Sequence, residues 1–154
     1  MKLVMQLTAA FALLALAAAA ALAAELPSPV GLWQTVDDNT GKVRGLVRIT
    51  EVNGELRGTV EKTYPNPGED PAPRCTKCSD ARRDQPVIGM TFLTGLKKDP
   101  DAPLTWSGGE ILDPDNGSVY RSKVSLSEDG ALLRVRGYLG IALLGRTQVW
   151  KRAD

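Results

Sequence analysis

Cys75-Thr76-Lys77-Cys78 is the one stretch of this sequence whose residue types and spacing suit covalent chemistry. A Cys-x-x-Cys pair works as a redox centre when its first sulfur sits at a helix N-terminus in a βαβ context, where the dipole lowers the thiol pKa. Neither that helix nor that context is visible around residues 75–78, although Arg74, Lys77, Arg82 and Arg83 would stabilise a thiolate electrostatically. The same spacing also suits a local disulfide that staples a loop, worth about 2 kcal/mol on the chain-entropy model. As a zinc site it lacks two further Cys or His ligands, so no metal is expected. Glu110, Asp113 and Asp115 form the densest acidic cluster outside the loops. Paired carboxylates can cleave sugar bonds when held about 5 or about 6.5–9.5 Å apart, but Asp113-Pro114-Asp115-Asn116-Gly117 reads first as a turn. The chain contains no histidine, which removes Ser-His-Asp and Cys-His catalysis, the zinc helix His-Glu-x-x-His and any imidazole base. Ser107 has no visible base. No catalytic residue and no cofactor are expected, and the composition points away from an enzyme.

The elements around these residues begin with a leader. Met1-Lys2 is followed by an Ala- and Leu-rich run from about Leu7 to Leu22, and Ala21-Leu22-Ala23 offers small residues for cleavage after about Ala23. The alternative is an uncleaved anchor, since about 20 apolar residues can span a bilayer; Gln6, Thr8 and the many alanines argue against it. The absence of a cysteine at the cleavage point argues against a lipoprotein. The expected location is the periplasm, an oxidising compartment in which thiols pair. Residues 24–154 then form a single domain, large enough for a hydrophobic core. With Lys2 gone, 18 Lys and Arg balance 18 Asp and Glu, which gives no reason to expect a nucleic-acid partner.

From Gly31 onward the apolar residues alternate as in strands. Asn53-Gly54, Asn116-Gly117 and Asp129-Gly130 are dipeptides favoured in two-residue hairpins. Strands are expected at 31–36, 43–52, 55–63, 87–96, 104–112, 118–126, 132–139 and 146–152, about eight in all. An antiparallel up-and-down meander of this size closes most naturally into a small all-β barrel, with a β-sandwich as the alternative. Leu133, Val135, Gly137 and Leu139 fall on one face, Arg134, Arg136 and Tyr138 on the other. Tyr120, Ser122, Val124 and Leu126 likewise oppose Arg121, Lys123 and Ser125. The basic rows read as a solvated exterior or as an anion-binding surface for lipid headgroups. Residues 64–86 break the pattern, holding five of the ten prolines and both cysteines; a connection this long is often functional or partly disordered. Residues 79–84 could supply a turn of helix within it.

Trp33, Trp106 and Trp150 are candidates for a pocket lining or for packing at the barrel base, since eight-stranded barrels can hold one small ligand. The connection Leu139-Gly140-Ile141-Ala142-Leu143-Leu144-Gly145 is apolar where a hairpin turn is usually polar. It either closes one barrel end or presents Ile141, Leu143 and Leu144 to a ligand, partner or membrane.

Gly31-Leu32-Trp33 resembles the Gly-x-Trp that opens lipocalins, in which an arginine near the last strand packs across the tryptophan and closes the barrel base. The resemblance gives that part to Arg152 or Arg146. The chain is more closely similar to the bacterial domain-of-unknown-function family 2147, small secreted proteins with a lipocalin-like barrel. Four pieces carry the likeness: Gly31-Leu32-Trp33 with Gly41-Lys42; Cys75-Thr76-Lys77-Cys78 with Gln85-Pro86-Val87-Ile88-Gly89; Trp106-Ser107-Gly108-Gly109-Glu110-Ile111-Leu112-Asp113-Pro114; and Arg136-Gly137-Tyr138-Leu139-Gly140 leading to Trp150-Lys151-Arg152. This resemblance implies a fold and an export route, and brings no catalytic residues. The functional expectation is a periplasmic or envelope-associated binding barrel for a small apolar or amphipathic ligand. The alternatives are a redox-responsive protein using Cys75 and Cys78, and a structural protein contacting another envelope component.

Overall fold

The computed structural model describes residues 26–141, 143 and 145–154. The expected leader at residues 1–23 and the candidate contact Leu144 lie outside the described residues. Eight strands follow in order: β1 (Gly31–Val36), β2 (Val43–Val52), β3 (Glu55–Thr63), β4 (Thr91–Lys98), β5 (Thr105–Asp113), β6 (Ser118–Leu126), β7 (Leu132–Tyr138) and β8 (Arg146–Arg152). Each pairs antiparallel with the next, and β8 returns to β1, so the sheet closes into a barrel and not a sandwich. Closure removes the unpaired edges that an open eight-stranded sheet would expose.

Inward positions are set by the two-residue alternation. On β2 these are Gly45, Val47 and Ile49; on β6, Ser122, Val124 and Leu126; on β7, Leu133, Val135 and Gly137. The outward rows of β6 and β7 carry Arg121, Lys123, Arg134, Arg136 and Tyr138. The core collects Trp33, Ile49, Leu56, Leu93, Leu96, Val124, Leu133 and Trp150, all essentially inaccessible to solvent. Burying each such side chain contributes roughly 1.5–3 kcal/mol, which is what holds a sheet with so few cross-connections together.

Only one hairpin has the expected two-residue geometry. Asn53 (φ 52°) and Gly54 (φ 77°) are both left-handed, as a type I′ turn demands. At Asn116-Gly117 and Asp129-Gly130 only the glycine is left-handed. Gly117 N–H reaches back to Asp113 O and Gly130 N–H to Ser127 O, so these turns are longer. Pro114 explains the first, because its fixed φ suits the opening position of a type I turn.

The strand expected from residue 87 begins at Thr91 instead. Residues 87–90 fold into a turn in which Met90 N–H donates to Val87 O, with Gly89 at φ 87° and its N–H donating to Val60 O. Residues 79–84 form consecutive turns and no helix.

Candidate functional site

The two ends of the barrel are built differently. At the base, residues 26–30 cross beneath the strands and are tied to Arg152. Its guanidinium lies 4.4 Å from the centre of the Trp33 ring and donates to the carbonyls of Gly130 (2.8 Å), Val30 (3.1 Å) and Ser28 (2.6 Å). Trp33 Nε1 donates to Pro29 O at 2.8 Å. A Cβ at Gly31 would come within 2.6 Å of the Arg152 guanidinium, and its φ is 143°, so the glycine of Gly-x-Trp is what lets the arginine lie there. Arg146 is at the opposite end, where its Nε donates to Asp38 at 2.7 Å. The β1–β8 seam itself holds only two register pairs, Trp33 with Arg152 and Gln34 with Lys151. Asp154 supplements it by accepting from Leu32 N–H at 2.8 Å.

Toward the other end, the mouth, the inward positions lose their burial. Trp33 (0% exposed) gives way to the half-buried Thr35, Leu56 to Val60, Leu133 to Gly137, and Trp150 to Gln148. Ile111 and Tyr120, cross-strand partners on β5 and β6, are half-buried there as well. Trp33, Trp106 and Trp150 therefore belong to the packed base and middle, Trp150 contacting Phe92 at 6.1 Å between ring centres. The half-buried inward positions toward the mouth are mixed in character: Val60 and Ile111 apolar; Thr35, Tyr120 and Gln148 polar. Among the described residues, the buried side-chain polar atoms lacking a hydrogen-bond partner are Thr63 Oγ1 and Ser122 Oγ. Thr63 pairs with the inward Gly45, and Ser122 lies between Gly109 and Gly137 on the inner wall. An unpaired buried hydroxyl costs about 1–3 kcal/mol.

The long connection between β3 and β4 is ordered by its own small core. Cys75 and Cys78 form a disulfide and are 0% and 1% exposed. Cys75 N–H donates to Gln85 O, Asp84 N–H to Cys75 O, and Val87 N–H to Pro73 O. The loop leans on the β5–β6 turn, where a Cβ at Gly117 would fall 2.0 Å from Lys77 O. Two exposed carboxylates brace it. The Asn66 backbone N–H, then the Arg44 guanidinium, hold Glu69 down from 4.5 to about 2; the Arg82 side chain and N–H hold Asp80 down from 3.8 to about 2. A disulfide buried in this way offers no sulfur to an incoming thiol, which opposes the redox reading. Asp113 spends its oxygens on Asp115 N–H and the Asn116 amide, the chemistry of a turn and not of a general acid. Among the described residues no group of three or more His, Cys, Asp or Glu could hold a metal ion.

The mouth also carries exposed apolar residues. Leu139, Ile141 and Leu143 in the β7–β8 connection are 67%, 59% and 81% exposed. Two recesses mark the outer surface, one of about 170 Å³ beside Glu110, Arg121 and Tyr138 and one of about 370 Å³ on the long loop between Arg82, Ile88 and Thr91.

A closed eight-stranded antiparallel barrel with a Gly-x-Trp base fastened by an arginine defines a lipocalin-like protein. The chain belongs to the family described as "Uncharacterized protein conserved in bacteria (DUF2147)", whose model matches residues 31–152. Among solved structures it is similar to protein HP1028 from Helicobacter pylori, which is described as belonging to the lipocalin family. The two superpose with a TM-score of 0.69 at 22% identity, over 83% of this chain and 84% of that one. At that identity the likeness establishes the fold alone. No curated protein matches the chain.

Proposed function

We propose that this is an exported, non-enzymatic barrel that binds a small apolar or amphipathic molecule at its mouth. The leader read from residues 1–23 supports export to the periplasm, and the barrel shared with a lipocalin-family protein supports a ligand-holding role by analogy of fold. The observation that carries the reading is the change of lining along the lumen. The base is filled by the buried Trp33, Ile49, Leu56, Leu133 and Trp150, whereas the inward Thr35, Val60, Ile111, Tyr120 and Gln148 are only half-buried and would line a shallow cup at the mouth. Val60 and Ile111 suit an alkyl or ring portion, and Gln148, Tyr120 and the unpaired Ser122 hydroxyl suit a polar group. A ligand would sit in the cup and leave the deep interior untouched.

Native mass spectrometry on protein purified from the periplasm of an expressing bacterium tests this directly. A stoichiometric adduct in the lipid or metabolite range is expected, and it should disappear in Val60→Trp, which fills the cup from one wall. A clean apoprotein mass, together with no uptake of a naphthylamine probe, would remove the binding role. The same spectrum reports the position of leader cleavage.

A further inference from the structure

We infer that the β7–β8 corner of the mouth docks on an anionic phospholipid bilayer, its apolar tip entering the headgroup region with a basic collar behind it. The strands β6, β7 and β8 carry seven Lys and Arg (Arg121, Lys123, Arg134, Arg136, Arg146, Lys151, Arg152) and no Asp or Glu. All 18 acidic residues of the chain lie elsewhere. Of the seven, Arg152 is committed to the base, Arg146 to Asp38, and Lys151 stands at the base end of β8 opposite Leu132. The collar is therefore Arg121, Lys123, Arg134 and Arg136, all on the outer wall.

Register places these groups relative to the tip. Arg121 pairs with Tyr138, the residue before Leu139, and Lys123 pairs with Arg136, which pairs with Thr147. At about 3.3 Å per residue, Arg121 stands just behind the tip, and Lys123 and Arg136 about 10 Å behind it. Those distances lie near the Debye length of about 8 Å at physiological salt, so the cations would feel a charged surface that the tip touches. The tip is also held in shape: Arg136 donates to Leu143 O (3.0 Å) and to Thr147 Oγ1 (2.6 Å), which presents Leu139, Ile141 and Leu143 outward. Arg121, Lys123 and Arg134 make no ion pair within 4.0 Å of a described carboxylate, although Glu110 stands across from Arg121 on β5.

Acidic residues bound the contact. Asp37 and Asp38 occupy the neighbouring β1–β2 turn, and Asp113 and Asp115 sit at the β5–β6 turn. An upright barrel would press them onto lipid phosphates, so the contact is confined to the β7–β8 corner that lies between these two turns. Self-association through the same face would set cations against cations, whereas an anionic bilayer complements both the charge and the apolar tip.

Co-flotation with vesicles of the protein purified from the periplasm, after the leader of residues 1–23 has been removed, tests the inference. Expected is binding to phosphatidylglycerol-containing vesicles, none to pure phosphatidylcholine, and release in high salt. Leu139→Ser, Ile141→Ser and Leu143→Ser together should abolish flotation. Arg121→Glu with Lys123→Glu, at well-exposed positions that leave the fold intact, should weaken it at least about tenfold. Arg57→Glu on the far wall should leave it unchanged. No flotation with anionic vesicles, equal flotation with neutral ones, or a loss in Arg57→Glu equal to that in the collar variant would overturn the inference. It stands apart from the cup: Val60→Trp should float normally whether or not it has lost a ligand.

Discussion

The base and the mouth of this barrel are made from the same eight strands, yet they spend their residues differently. At the base, groups left over by the strands are answered within the chain: Arg152 satisfies three carbonyls and covers Trp33, and Asp154 accepts from Leu32 N–H. At the mouth, the buried hydroxyls of Ser122 and Thr63 have no hydrogen-bond partner among the described residues, and Leu139, Ile141 and Leu143 face solvent. Stability resides at one end, and capacity for contact at the other. The difference teaches where to look for contacts with other molecules: at the end where internal satisfaction stops.

Substitutions at the two ends should therefore have very different costs. Trp33→Ala should cost about 3–5 kcal/mol in urea denaturation, because the base is fully packed and cannot collapse into the space. Leu143→Ser, at an exposed tip, should stay within about 0.5 kcal/mol; a comparable loss at both positions would erase the distinction drawn here. Arg152→Met should cost roughly 2–4 kcal/mol, since it leaves the carbonyls of Ser28, Val30 and Gly130 to find other donors. Arg146→Met should cost far less.

The long loop lies between these extremes. Replacing Cys75 and Cys78 together by Ser should cost about 2 kcal/mol while preserving the barrel, visible as unchanged far-ultraviolet dichroism with faster amide exchange confined to residues 73–87. Gly117→Ala should loosen the same segment by at least about 1 kcal/mol, as it sets a methyl group against Lys77 O. The smallest effect concerns pH. Glu69 and Asp80 titrate near 2 in the folded loop, below their ordinary 4.5 and 3.8. Their contribution to loop order is thus fully present above about pH 4.5 and lost as pH falls through about 2. Both are exposed, so salt screens the effect. Carboxyl carbon shifts followed by NMR should show both midpoints near 2, and ordinary values would mean the braces are not formed in solution.

Much of the barrel was legible because strand and turn signals are local. β1, β2, β3, β6 and β8 have the bounds that alternation and Asn-Gly or Asp-Gly punctuation indicate, and the family likeness is carried by motifs from both ends of the domain. What failed locally was conformational detail. Val87-Ile88 reads as strand in composition, but Gly89 turns left-handed so that its N–H can reach Val60 O. The choice between Arg146 and Arg152 at Trp33 depends on the β1–β8 register, a contact between residues more than a hundred positions apart. The order of residues 64–90 was hidden for the same reason, since it rests on Gly117 admitting Lys77 O.

The seam that closes the barrel has a consequence for how the chain folds. Leu32 and Asp154 are 122 positions apart, and the pairs Trp33–Arg152 and Gln34–Lys151 cannot form until residues 151–154 have left the ribosome. Until then β1 presents a bare edge and Trp33 has no lid, so the growing chain is a row of hairpins, not a barrel. Closure is a late event of high contact order and correspondingly slow. A polypeptide whose clasp lies this far along the chain remains an open row of hairpins until residues 151–154 emerge.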